Sequence, residues 1–424
     1  MNVRAVRFPL VDALRAIAAL AVLGTHVAFF GGAYEGHTAL GPYAQRLDVG
    51  VTVFFLISGF LLYRPFLLAR VDGGPTPAAG AYAWRRFLRI VPAYWLALTV
   101  TVLALGTPGV FTADGVPAYY GLAQTYRTAT IGGGLTQAWT LSIEVAFYAF
   151  LPVYAALQRR LPGRALRTEL MGLGALVAVS EAWKAAVLAS GDPAKVHIDP
   201  ALLALPAYFD HFALGMGLAL LTVWIERRGR APRWVGALDR APLAAWGLAA
   251  VAFWAVSTRI GLGDRVFGPM SNGQYLERHA LYAAVALGLM LPAVVGDPAR
   301  GAPRRILASR VLAWLGLVSY GIYLWHPTVL DLMSRWGFGD VHVVHPYVTW
   351  AVGGVAASAA VAAVSYYGLE RPLLSLKRLV GRRERVPAGE ALVEPGDEAR
   401  HLGSPAPGGA GHADATAGVA HPAG

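Results

Sequence analysis

Four ionisable side chains stand where such side chains are scarce. Arg15 and His26 lie in the apolar run Phe8 to Phe30, Glu144 in WTLSIEVAFY, and His326 at the end of SYGIYLWH. A charged or titratable group inside an apolar span is costly and usually faces a protein interior or a watery path. Imidazole exchanges protons near neutral pH, a carboxylate can orient it, and guanidinium binds phosphate while keeping its charge. On one polar path these groups suit general acid–base chemistry. They also suit the proton relay of a secondary transporter or flippase.

Spacing sharpens the pattern. Eleven residues make about three helical turns, so Arg15 and His26 project from one face, about 16 Å apart along the axis. Ser319, Tyr323 and His326 likewise share a face. Asp210 and His211 open another apolar stretch.

The elements that must position these groups are membrane spans. The 424 residues are 56% hydrophobic and only 14% charged. Apolar stretches of about 18–22 residues, enough to cross a bilayer, recur about ten times. They lie near residues 9–30, 49–68, 88–105, 138–157, 169–189, 203–225, 241–258, 277–296, 311–332 and 346–369. The expected fold is therefore an all-α polytopic membrane bundle of about ten transmembrane helices. Most of the 36 Lys and Arg residues fall on one alternating set of connections, including Arg64, Arg70, Arg85, Arg159, Arg227 and Arg304. The positive-inside rule then puts both termini in the cytoplasm, in a multi-pass protein of the cell membrane. Topology also accounts for the net charge of +11, which argues against nucleic-acid binding. Cysteine is absent, which excludes disulfides, thiolate nucleophiles and Cys-ligated metals. The first span begins like a signal peptide but is too long and has no cleavage signal, so it should be retained. Residues 1–380 read as one transmembrane domain. Residues 381–424, rich in Pro, Gly and Ala, read as a disordered cytoplasmic tail. The sequence leaves the oligomeric state open.

Taken in order, several motifs resemble those of the acyltransferase-3 family, integral membrane enzymes that O-acylate sugars and related hydroxyl acceptors. They are Arg15 with His26, VFFLISGFLL (Val53–Leu62), RRFLRIVPAYW (Arg85–Trp95), WTLSIEVAFY (Trp139–Tyr148), SYGIYLWHP (Ser319–Pro327) and ERP (Glu370–Pro372). The resemblance covers about residues 8–375 and looks like a stand-alone form, without the C-terminal hydrolase-like domain of some members. It implies a cytoplasmic acyl-CoA donor, with acetyl the expected acyl group. The implied acceptor is a surface polysaccharide, a lipid-linked sugar or a glycosylated natural product such as a macrolide.

On that reading Arg85, Arg86 and Arg89 would grip the phosphates of coenzyme A, with Arg15 extending the cradle inward. His26 is the expected base and Glu144 the carboxylate that orients it, with His326 as the second candidate base. Ser58 is either a nucleophile in a two-step route or a hydroxyl satisfying a backbone carbonyl beside Gly59. It joins Tyr323, Trp325 and Asp210 among the residues expected to line the substrate site. Direct transfer within a ternary complex is the simpler route. His342 and His345 lie in an outer loop without an obvious third ligand, so no metal is expected. Glu277, Arg278 and His279 stand at an outer boundary, where they would meet headgroups or a polar acceptor. Glu370 to Pro372 should close the last span. Lys184 has no assigned role.

Overall fold

Long apolar runs in lipid fold as helices, because a backbone away from water must bond to itself. The structure, a computed structural model describing residues 8–32, 39–191, 199–229, 231–262, 270–341 and 345–377, contains only helices and connecting turns among those residues. The main helices are α1 (Pro9–Phe30), α2 (Gly50–Val71), α3 (Ala79–Leu105), α4 (Trp139–Arg160), α5 (Ala165–Ser190), α6 (Phe209–Arg228), α7 (Arg233–Arg240), α8 (Pro242–Thr258), α9 (Asn272–Val294), α10 (Arg310–Leu317), α11 (Ser319–Arg335) and α12 (Pro346–Ser365). Local chemistry sets several ends. Pro9 opens α1 where its missing N–H costs nothing. Ser271 and Gln274 form a reciprocal capping box at the start of α9.

Seven helices are long and apolar enough to cross a membrane, or eight if α7 and α8, bent by 80°, count as one span. The chain is thus a multi-pass protein of the plasma membrane. The expectation of about ten spans included two further stretches. One is α9, whose first turns carry Glu277, Arg278 and His279 and dilute its hydropathy. The other is split at Val318 into α10 and the 17-residue α11. Residues 381–424 and His342 lie outside the described residues, as does the terminal segment 1–7.

Small residues let the helices approach closely. A Cβ on Gly59 of α2 would lie 2.4 Å from the carbonyl oxygen of Phe212, and one on Gly215 of α6 would lie 2.1 Å from that of Leu56. The two glycines are therefore reciprocal notches in the α2–α6 crossing. Polar ties fix which ends meet. Arg64 contacts Glu226 at 2.6 Å, Arg227 pairs with Asp72, and Arg70 pairs with Glu169. Arg159 donates to the carbonyl of Gly74 at 3.1 Å. The Arg64 guanidinium stands 5.4 Å from the Phe8 ring centroid. These contacts gather the first residues of α1 and α5 with the last residues of α2, α4 and α6 at one arginine-rich end. The far end holds the close of α1 and the starts of α2, α4, α6 and α9.

The expected closure of the last span at Glu370–Pro372 takes a different form. Residues Tyr366–Glu370 make a π-helical turn that leads into the short helix Arg371–Ser375. Proline is tolerated there because it occupies the first turn of that new helix.

Candidate active site

At the far end the close of α1 meets α11. His26 and His326 approach with ring centroids 4.7 Å apart, at 70°. His326 is fully buried, and its Nδ1 donates to the carbonyls of Tyr323 at 2.8 Å and Ile322 at 3.1 Å. Nδ1 of half-buried His26 lies 3.0 Å from the carbonyl oxygen of Val22 and 3.3 Å from His326 Nε2. A carbonyl only accepts, so both Nδ1 atoms carry hydrogen. His326 Nε2 then accepts from His26 Nδ1, and His26 Nε2 keeps its lone pair. That is the geometry of an oriented base.

The carboxylate expected to orient His26 makes its hydrogen bonds elsewhere. Glu144, from α4, accepts from Ser58 Oγ at 2.6 Å and from Tyr148 OH at 2.7 Å. His326 holds the place that Glu144 was expected to fill. Ser58 corrects a second expectation, since its hydroxyl bonds a carboxylate and not a backbone carbonyl. Gly59 beside it does serve close packing, as expected.

Tyr323 links the two levels. Its OH is 2.6 Å from Thr140 Oγ1 and 3.0 Å from the carbonyl of Gln137, and its ring lies 5.8 Å from that of Phe54. Trp325 departs from the expected substrate wall. It is 7% exposed and sits in the apolar core with Tyr94 and Leu98 of α3.

Toward the arginine end the polar groups continue. The Arg86 guanidinium lies 5.8 Å from the Tyr148 ring centroid, and its buried Nε has no hydrogen-bond partner. Arg89 stands 5.7 Å from the Tyr320 ring centroid and 3.9 Å from Glu370, which the π-helical turn of the last span buries. Arg15 lies within electrostatic reach of Asp12, Arg89 and Glu144. Arg85, Arg86, Arg89, Arg15, Ser58, Glu144 and His26 are all half-buried. A polar seam therefore runs from the start of α3 past Arg15 and Glu144 to the histidine pair. Tyr148 and Glu370 were missed as members of it. Tyr148 follows Glu144 by four residues and so shares its face, a spacing that could have found it. Nothing in the sequence announced the π-helical turn.

Asp210 does not join the histidine pair. Its Oδ2 accepts from Lys184 Nζ at 2.9 Å and lies 2.8 Å from His279 Nε2, while Ser180 donates to Oδ1 at 3.1 Å. The ring of His279 stacks on that of His211 with centroids 4.0 Å apart. Lys184 thus gains a role as the counter-ion of Asp210. A lysine inside an apolar span demands an anion at its depth, and Asp210 opens a span from the same end. Asp210, His211 and His279 also offer ligand atoms within 4.8 Å of one another, as a metal site would. The Lys184 ammonium already occupies the shared carboxylate oxygen. His345 instead caps α12, its Nδ1 accepting from Tyr347 N at 3.3 Å.

Comparison with known sequences gives the chain's family. The acyltransferase domain family matches residues 8–367. A peptidoglycan O-acetyltransferase, OatA, of Listeria monocytogenes is 26% identical over 86% of this chain and 55% of its own length. Acyltransferase MdmB of Streptomyces mycarofaciens is 30% identical over 91% of this chain and 96% of its own. Nodulation protein 10 of Rhizobium leguminosarum is 28% identical over 79% and 84%. The chain thus spans about half the length of the first of these relatives and nearly all of the second. No solved structure matches.

Proposed function

The chain belongs to the acyltransferase-3 family, and from that premise we propose that it moves an acyl group, acetyl in the simplest case, from cytoplasmic acyl-CoA to a hydroxyl of a carbohydrate or glycoside. The observation that carries this reading is the half-buried polar seam joining the α3 arginines to an imidazole with a bare Nε2. The relatives support the chemistry through their names, a peptidoglycan O-acetyltransferase and an acyltransferase. The arginine-rich end then faces the cytoplasm, as the charge distribution of the sequence suggests.

Arg85, Arg86 and Arg89 hold the donor's phosphates by charge-assisted hydrogen bonds. Arg15, further along the seam, meets the donor where the thioester arm passes between helices. At the far end His26 Nε2 takes the proton of the acceptor hydroxyl while its oxygen attacks the thioester carbonyl. The tetrahedral intermediate collapses, the C–S bond breaks, and the departing CoA sulfur takes the proton back from His26. One ester forms, one thioester is consumed, and the histidine returns to its starting state. His326 keeps His26 in the tautomer this requires. Glu144, bonded by Ser58 and Tyr148, gives Arg15 a countercharge inside the bundle. Residues 1–380 are assigned to this activity as one domain.

The test is thiol release. Protein reconstituted in vesicles is given acetyl-CoA with and without a panel of glycosides, and free CoA is titrated. Glycoside-dependent CoA release together with a new ester on the glycoside supports acyl transfer. Movement of a glycoside or proton across the vesicle without CoA release would favour transport instead.

A further inference from the structure

The Lys184–Asp210–His279 group takes no part in the reaction as described, yet it is an ion pair held at the depth of membrane spans. Lys184 is only 1% exposed. A buried ion pair is seldom worth more than well-packed apolar side chains, so stability alone does not account for it. Nor is the group sealed. On one side lies a cleft of about 240 Å³ between α5 and α9, floored by Lys184, Asp210 and His279 and walled by Val177, Leu276 and Ala280. On the other side a cavity of about 60 Å³ is lined by Asp48, Trp139, Tyr208, Arg278 and Tyr282. His279 borders both.

Three further facts point to an occupant. First, His211 Nδ1 and Tyr275 OH are buried without a partner, and both residues line the smaller cavity. Such groups await a hydrogen-bonding ligand or water. Second, α5 has the smallest buried share of the seven candidate spans, 22% of its apolar window, so the cleft lies on an open flank. Acyl tails cannot solvate an ion pair, so the occupant that fits has an apolar body and a hydroxyl-bearing head. Sugar hydroxyls both donate and accept, which matches Lys184, Asp210 and His279, and aromatic faces pack the ring's C–H surface. Third, the cavity's residues reach toward the histidine pair. The Asp48 charge reaches His26, and Trp139 precedes Thr140, which holds Tyr323.

We propose that the α5–α9 cleft and the adjoining cavity form the acceptor site. It takes an amphiphilic glycoside from the membrane, with the apolar body between α5 and α9 and the sugar at Lys184–Asp210–His279. This rests on the acyl-transfer reading but is tested apart from it. A dodecyl β-D-glucoside with a diazirine on its chain is photolysed with the full protein in nanodiscs, and labelled peptides are mapped. A dodecyl alcohol with the same diazirine is the sugar-free arm. The glucoside should label Val177, Leu276 or neighbouring residues, be displaced by unlabelled dodecyl glucoside and resist methyl β-D-glucoside. The alcohol should spread over the lipid-facing helices. Ala280→Trp, which fills the exposed cleft wall, should cut the cleft label about tenfold, equivalent to about 1.4 kcal/mol of affinity. Acetyl-CoA binding measured on the same sample confirms that the variant is folded. Equal cleft labelling by the alcohol, or glucoside labelling without any preference for α5 and α9, overturns the proposal. The mapping with unmodified protein decides this even if Ala280→Trp fails to fold. Because labelling needs no turnover, a protein that binds the glucoside but never releases CoA would refute the transfer reading and leave this site standing.

Discussion

Two polar regions of this molecule use the same residue types to opposite ends. In the arginine-end locks, side chains converge. Arg304, 0% exposed, donates five hydrogen bonds, two to Asp239 and one each to the carbonyls of Pro292, Val295 and Asp297. It ties the last carbonyls of α9 to the end of α7, where a helix has no partners of its own to offer. Arg70 likewise binds Glu169, Thr168 and Gln158 at once. Along the seam, by contrast, the half-buried groups are strung out along the bundle. A converging network is a scaffold, since removing one member strands the rest in a low dielectric. A strung-out series keeps bonding capacity for something that passes along it.

The sharpest way to break the comparison is His26→Ala. Loss of a positioned base should lower CoA release by about 10²–10⁴-fold while acetyl-CoA binding persists. Full activity in that variant would remove the base assignment. His326→Gln is the companion, because a side-chain carbonyl can still accept from His26 Nδ1. It should retain much more activity than His326→Ala, whereas equal losses would mean that His326 does more than orient.

Next in size is Arg304→Ala, where the effect should fall on stability. Breaking a buried, multiply bonded charge costs about 3–5 kcal/mol. The unfolding midpoint in detergent should drop sharply, and the KM for acetyl-CoA in the surviving folded fraction should stay unchanged. Arg89→Ala should act first on the donor, with a KM for acetyl-CoA raised about tenfold and a smaller fall in the unfolding midpoint from loss of its 3.9 Å contact with buried Glu370. If both variants behaved alike, the division into lock and seam would fail.

How much of this could be read beforehand follows from the same physics. Hydropathy and charge alternation are local signals, so the spans were legible to within a few residues for α1, α2 and α12. The start of α3 was not. It runs nine residues earlier than expected, from Ala79, because the arginine-bearing turns Arg85 to Arg89 are helical too. Arg15 and His26 on one face follow from helix period alone. Which groups touch across helices does not, because that depends on rotation about each axis. Glu144 was accordingly expected beside His26, whereas its carboxylate bonds Ser58 and Tyr148, and Trp325, one residue from His326 and so turned by about 100°, faces the core instead. The Asp210–Lys184 pair was within reach of charge-balance reasoning. The π-helical turn that carries Glu370 to Arg89 was not, because no residue type encodes it.

The smallest effect is expected at Tyr148, and it discriminates most finely because this side chain does two separable things. Its OH donates to Glu144 Oε1 at 2.7 Å, and its ring lies 5.8 Å from the Arg86 guanidinium. Tyr148→Phe removes the first and keeps the second. A single hydrogen bond to a charged group is worth about 1.5–3 kcal/mol at most, and Ser58 still bonds the same carboxylate oxygen. The turnover number should therefore fall only a few-fold, by about three- to tenfold, with acetyl-CoA affinity unchanged. Tyr148→Leu removes the ring as well and frees Arg86 from the face that positions it. There the acetyl-CoA KM should rise as well, by about threefold for a contact of about 0.5–1 kcal/mol. A seam that works by passing the donor from one group to the next requires that split. If Phe and Leu instead lower the unfolding midpoint together and leave both kinetic constants alone, Tyr148 belongs with the locks, and the seam ends at Arg86.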